Sequence, residues 1–165
     1  MSTSVITTPM NLCALCESII NDDATAVDTN VKKCAVVVND KLAPGFAVNT
    51  AAVLGVTLGK RHSEMVGRDL PDSSGFVHQG ITTVAIPVLK ADGAFLKNLR
   101  SRLKEFEPEL LVVDVISATR TTKSYEEYAV VLETSPADEI EYFGLALFGD
   151  KKLVAKFTGD LALLR

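Results

Sequence analysis

Short runs of β-branched and aliphatic residues alternate along most of the chain with segments whose apolar positions recur at helical spacing. Residues 33–38, Lys-Cys-Ala-Val-Val-Val, read as a strand that Asn39 and Asp40 end. Pro44 and Gly45 make a turn, and the Ala-, Val- and Leu-rich stretch that follows to about Lys60 predicts a helix buried on most sides. Residues 62–80 are polar and glycine-rich and predict a long loop, and residues 81–89 predict a second strand. Asp92 is placed to cap a helix whose Phe95, Leu96, Leu99, Leu103 and Phe106 fall on one face, and Pro108 is expected to stop it. Residues 110–116 are apolar apart from Asp114 and predict a third strand covered on both faces. A short helix over 124–133, a fourth strand over 142–148, a helix over 151–158 closed by Gly159 and an extended piece over 161–164 complete the pattern. This alternation predicts an α/β protein, a three-layer α/β/α sandwich with a mixed, mostly parallel sheet of about four strands. Val36, Val38, Ile86, Val112, Val113 and Leu145 are its expected interior.

Charge divides the chain in two. Residues 1–31 hold Glu17, Asp22, Asp23 and Asp28 and no Lys or Arg, which accounts for the whole net charge of −4. Residues 32–165 are neutral overall and are expected to be a single domain behind an acidic N-terminal leader. The leader carries one short helical pattern over residues 10–20, with Leu12, Leu15, Ile19 and Ile20 near one face. A neutral domain does not advertise nucleic-acid binding. With 47% hydrophobic and 23% charged residues the composition excludes a largely disordered chain. No apolar run approaches the roughly 18 residues of a membrane span, and no basic residue precedes an apolar segment at the start, so a cytoplasmic protein without membrane contact is predicted.

Several chemical motifs fail on their own terms. Cys13 and Cys16 form a C-x-x-C, but a structural zinc site needs a second ligand pair, and Cys34, His62 and His78 stand singly and far apart. No metal or cofactor is predicted, and three cysteines do not make a disulfide framework. Gly55-Val56-Thr57-Leu58-Gly59-Lys60 is one residue short of a phosphate-binding loop and is followed by Arg61 where a hydroxyl is required. His62, Ser63, Glu64 and Asp69 come without the strained elbow that exposes a nucleophilic serine. The end of the third strand is more promising. Ser117, Thr119, Thr121 and Thr122 surround Arg120 just where open α/β sheets place their ligand sites, beyond the carboxyl ends of strands. Four hydroxyls and a guanidinium suit an anion or an amide. The first strand ends in the same way, in Asn39, Asp40 and Lys41.

Three segments resemble the type II peptidyl-tRNA hydrolase fold: Val36 to Asp40 leading into Gly45 to Ala52, the loop Ser117-Ala118-Thr119-Arg120-Thr121, and Gly144 to Leu147 followed by Val154 to Leu161. The pattern is closer still to a family of uncharacterised domains grouped with those hydrolases by fold. The resemblance covers about residues 32–165, with extra sequence between Lys123 and Glu141. It implies ligand-binding roles for Asp40, Asn49, Ser117, Thr119, Arg120 and Thr121, with Asn49 and Thr121 orienting Arg120. Phe46 stands where the hydrolases carry a functional Lys, and Ser117 where they carry an Asp. Neither can polarise an ester or position water in the same way; Lys41 and Asp114 are the nearest substitutes in sequence. The implied function is therefore a binding or regulatory module for a small anionic ligand. The alternative is an active hydrolase of the peptide–tRNA ester, with phosphates held by Lys60, Arg61, Arg68 and the Lys151, Lys152 and Lys156 cluster. A homodimer joined through a sheet edge or helix face is a third class.

Overall fold

Strand β1, Lys32–Asn39, is apolar on both faces and buried from Cys34 onward, so it lies at the centre of a sheet. The computed structural model describes residues 27–165; the expected leader helix over 10–20 and the Cys13 and Cys16 pair lie outside the described residues. After β1 come helix α1, Pro44–Arg61, a short hairpin of β2, Leu70–Pro71, and β3, Val77–His78, then β4, Val88–Ala91, and helix α2, Gly93–Leu103. Strand β5, Leu111–Ile116, helix α3, Tyr125–Thr134, strand β6, Tyr142–Asp150, and helix α4, Lys151–Thr158, follow. The main sheet has the order β4-β1-β6-β5. Among the described residues no helix is long and apolar enough to cross a membrane.

Alternate residues of β1 face two separate cores. Cys34, Val36 and Val38 pack with Leu54 and Leu58 of α1 and with Phe143, Ala146 and Phe148 of β6. Ala35 and Val37 pack on the other side with Leu96, Leu99 and Leu103 of α2 and Val154 and Phe157 of α4. The sheet is thus mixed and has helices against both faces. Asp92 caps α2 as expected, accepting the Phe95 N–H at 2.7 Å, and Asp150 caps α4 by accepting from Lys152 and Leu153.

Four expectations need correction. The sheet is not mostly parallel: β1 pairs with β4 in parallel, but β6 runs antiparallel to both β1 and β5. Strand and helix alternate in sequence, yet β6 enters between β1 and β5 from the opposite end, which periodicity alone cannot reveal. The second strand is only Val88–Ala91, because residues 81–83 pair instead with the segment after α1, the Thr83 N–H donating to the Met65 carbonyl at 2.8 Å and the Gly67 N–H to the Ile81 carbonyl at 2.9 Å. The Thr82 hydroxyl donates to the Val84 carbonyl and accepts the Val84 N–H, and Pro87 has no N–H to give to a ladder. Ile86, Val112 and Val113 are half-buried rather than enclosed, the valines because β5 is an edge strand; Val36, Val38 and Leu145 are fully buried. The helix expected to run to Pro108 ends at Leu103, with a 3-10 turn, Lys104–Phe106, before the proline.

The edge strand is tied to α2 by charge. Arg100 donates from Nε to Asp114 at 2.7 Å and from Nη1 to Glu107 at 2.6 Å. Burial works against the guanidinium charge, but the hydrogen bond and charge of Asp114, with Glu107, outweigh it and hold the Arg100 pKa above its ordinary value.

Cys34 is fully enclosed, and burial pushes its thiol up to about 12, with only a small opposing contribution from a backbone hydrogen bond at Ala35. It is expected to be inert in the folded protein. Titration with a thiol reagent should therefore count the same number of groups in native wild type and native Cys34→Ser, and one more in wild type only after denaturation.

Candidate functional site at the carboxyl ends of β1 and β5

Although β6 separates them, β1 and β5 point the same way, so their carboxyl ends open on one edge of the sheet. A cavity of about 560 Å³ lies there. Asn39, Lys41 and Leu42 line it from the end of β1, and Ile116, Ser117, Ala118, Arg120 and Thr121 from the end of β5. Phe143 forms part of it from the start of β6. The ladder between β5 and β6 slips at Val115 and Ile116, where Ile116 pairs with Tyr142 and Val115 with Gly144, leaving Phe143 unopposed. This bulge turns Phe143 into the α1 side of the sheet, beside the cavity. Val131 and Ser135 of α3 and its C-terminal end, with Glu139, Ile140 and Glu141, complete the lining.

The loop after β5 is a single 3-10 turn, Ser117–Arg120. Its hydroxyls are largely occupied in holding the turn: Thr119 donates to the Ile116 carbonyl at 3.0 Å, and Thr121 and Thr122 donate to the Ala118 carbonyl at 3.2 and 2.9 Å. The Ser117 N–H donates to the Glu141 carbonyl at 2.8 Å, which ties this turn to the start of β6. The consequence is a fixed platform from which Arg120 projects. Its guanidinium carbon sits 4.4 Å from the centroid of the Phe46 ring. Phe46, in the first turn of α1, thus holds the guanidinium by stacking, a role expected of Asn49 and Thr121. Among the described residues Arg120 is in no ion pair.

The six residues expected to bind ligand separate into two sets. Ser117, Arg120 and Thr121 line the cavity together. Thr119 belongs to the same turn but is spent on Ile116. Asp40 is exposed next to the cavity-lining Asn39 and Lys41, its carboxylate 3.9 Å from the Lys41 ammonium. Asn49 is exposed on α1, three residues beyond Phe46, and does not line the cavity. Asn39 is almost fully buried; its side-chain oxygen accepts the Lys41 N–H at 3.0 Å and fixes the bend that brings Lys41 to the rim. Sequence reasoning singled out neither the Phe46 stack nor the wall of Glu139, Glu141 and Phe143. The latter come from a distant segment, Phe143 turned in by the bulge and Glu141 tied to Ser117 by its carbonyl.

Asp114, the nearest carboxylate in sequence, is unavailable as a substitute for a catalytic Asp, since Arg100 holds it. It instead raises the pKa of its neighbours: burial first, then the Asp114 charge, pushes both Tyr142 and Tyr128 above the ordinary phenol value. The cavity itself offers cations at Lys41 and Arg120 and carboxylates at Glu139 and Glu141. Residues of both signs of charge thus line it. The basic residues proposed to grip tRNA do not form one face. Lys60 and Arg61 end α1 on one side of the sheet, while Lys151, Lys152 and Lys156 belong to α4 on the other. Lys151 is also bonded to the Thr29 carbonyl at 3.1 Å, and Lys156 lies over the Phe106 and Phe157 rings.

A second cavity, of about 410 Å³, lies at the other end of the sheet among Val31, His62, Glu64, Glu109 and Phe148. There the His62 ring lies tilted against Phe148 at 54°, with centroids 4.5 Å apart, and Nδ1 is 2.7 Å from Glu64. The hydrogen bond to His62 lowers the Glu64 pKa. Among the described residues no group of His, Cys, Asp and Glu side chains is placed to hold a metal ion.

Residues 32–165 match a family described as protein of unknown function (DUF2000). Among solved structures, a protein of unknown function from Agrobacterium tumefaciens strain C58 superposes with a TM-score of 0.73 at 25% sequence identity, covering 80% of this chain and 96% of its own. No curated protein matches.

Proposed function

The chain belongs to that family of unknown function, and from this premise we propose that it is a ligand-binding module with a type II peptidyl-tRNA hydrolase-like fold and without the hydrolase chemistry. The fold reading is supported by where the three resembling segments fall. They are β1 into α1, the turn after β5, and β6 into α4, and the first two meet at one cavity. The binding reading is carried by one observation: Arg120, stacked on Phe46 at 4.4 Å and free of carboxylate partners among the described residues, borders a concave site of about 560 Å³. A guanidinium set in this way takes a carboxylate or phosphate group, with Lys41 adding charge. Glu139 and Glu141, which also line the cavity, suit a donor group on the ligand, so small amino-acid-like compounds are the favoured class. Ester hydrolysis is disfavoured by Phe46 and Ser117 at the positions of the expected Lys and Asp, and by the engagement of Asp114 with Arg100.

Ligand-observed NMR with a panel of free amino acids, short dipeptides and simple carboxylates tests this directly. Saturable binding of at least one dipolar compound is expected, together with no release of product from peptidyl-tRNA under conditions where an authentic hydrolase turns over. Turnover above background would overturn the binding reading in favour of catalysis, and a panel without any binder would overturn the site.

A further inference from the structure

Two neutral polar groups at the strand ends are without partners among the described residues. Asn39, the last residue of β1, is only 6% exposed. Its side-chain oxygen accepts the Lys41 N–H at 3.0 Å, which settles the orientation of the amide and leaves Nδ2 with two protons to donate. Nδ2 meets no acceptor among the described residues. A Cβ on Gly93, the first residue of α2, would stand 3.3 Å from it, so the glycine leaves the amide room and offers it no side chain. Ser117, the first residue after β5, is half-buried, and its N–H is bonded to the Glu141 carbonyl. Its hydroxyl, unlike those of Thr119, Thr121 and Thr122, is bonded to nothing among the described residues.

Polar groups in buried surroundings ordinarily find partners, and leaving one unpaired is costly. Among the described residues no side-chain nitrogen or oxygen is both closed to solvent and unpartnered. Nδ2 of Asn39 and Oγ of Ser117 therefore open onto accessible space, and both residues line the cavity of about 560 Å³. The sheet sets their separation. Gly144 of β6 pairs with Val38 on one side and Val115 on the other; Asn39 follows Val38 directly, and Ser117 lies two residues beyond Val115. Their backbones thus stand two strand spacings apart, about 10 Å. An amide hydrogen-bonded once at its oxygen and once at its nitrogen reaches across about 8 Å. A single amide can bridge the two side chains.

Resting on the binding reading above, we infer that the ligand of this cavity carries an amide: Asn39 donates to its carbonyl oxygen, and the Ser117 hydroxyl accepts its N–H. Short peptides and N-acylated amino acids are then preferred to amino acids that lack an amide. The charged ends of the latter can meet Arg120, Lys41, Glu139 and Glu141, but the Asn39 amide stays unpaired.

NMR titration of the full chain with glycylglycine and with 5-aminopentanoate tests this. The two compounds share chain length and charged ends, and the second has two methylenes in place of the amide. Wild type should bind glycylglycine about tenfold more tightly. Asn39→Asp keeps an oxygen for the Lys41 N–H and replaces the donor; its added charge acts on both compounds alike, so the ratio of affinities should fall to within about twofold. Ser117→Ala should narrow it to about threefold. A residue that merely shaped the bend would lower both affinities and leave the ratio unchanged. A ratio near one in wild type, as when water alone serves Asn39, would overturn the inference, as would a tenfold ratio that survives Asn39→Asp. Should Asn39→Asp fail to fold, an unchanged ratio in Ser117→Ala overturns it instead. If other amino-acid-like compounds bind but glycylglycine does not, the site stands and the amide falls; if no such compound binds, both fall.

Discussion

Replacing Arg120 by alanine is expected to weaken binding of the dipolar ligand about 10- to 100-fold, the loss of charge-assisted hydrogen bonds to an anionic group. The folded protein should scarcely notice. Arg120 is exposed, and its stack on Phe46 at 4.4 Å is a contact at the molecular surface, so the change in stability should stay within about 0.5 kcal/mol. Two companion variants separate charge from geometry. Arg120→Lys keeps the cation but loses the planar fork and the stack, and should fall between wild type and alanine. Phe46→Leu leaves the guanidinium in place without its ring and should weaken binding by about 2- to 5-fold. Isothermal titration of the three variants with one ligand orders them; equal affinity for wild type and Arg120→Ala would remove Arg120 from the site. A large fall in thermal stability instead would make it a structural residue.

What the chain disclosed in advance depended on whether the deciding physics was local. Runs such as Cys34 to Val38 could only be a strand enclosed on both faces, and Asp92 ahead of Phe95, Leu96 and Leu99 could only open a helix. Arg120 among its hydroxyls could be marked because ligand sites follow strand ends, a rule that needs no tertiary contact. The failures share the opposite property. Residues 81–89 look like a strand, but Ile81 and Thr83 bond to Gly67 and Met65, the Thr82 hydroxyl competes for the local backbone and Pro87 withholds a donor, so pairing in the main sheet waits until Val88. Val112 and Val113 look as interior as Val36 and Val37, and only the strand order shows that they sit at an edge. Phe46 reads as a missing lysine until the turn after β5 delivers Arg120 onto its ring. Phe143 joins the cavity through a slip in the ladder and Glu141 through a backbone bond to Ser117, neither of which their sequence signals.

Helix α1 can hold Phe46 at the site only because it lies close on the sheet, and Gly144 sets that distance. A Cβ at position 144 would fall 2.7 Å from the Thr50 Cγ2 methyl, 3.0 Å from the Val37 carbonyl oxygen and 3.3 Å from Leu54 Cδ1. Thr50 and Leu54 are both buried on the sheet-facing side of α1, and Phe46 lies one helical turn before Thr50. Gly144→Val is therefore expected to cost about 3 kcal/mol through overpacking. In a chain of this size that corresponds to a fall in Tm of roughly 5–10 °C. The variant should also bind ligand less tightly, because a displaced α1 carries Phe46 away from Arg120. Gly144→Ala is the milder case, at about 1–2 kcal/mol, and it isolates the cause. Thr50→Ser removes the methyl that the new Cβ would strike and keeps the hydroxyl, so Gly144→Ala with Thr50→Ser should be more stable than the two single losses predict, by about 1 kcal/mol of coupling. Recovery should be incomplete, since the Val37 carbonyl cannot withdraw without breaking β1 from β6. Denaturant unfolding of the four proteins measures the cycle; strictly additive losses would mean that the contact between Thr50 and Gly144 does not govern how α1 sits on the sheet.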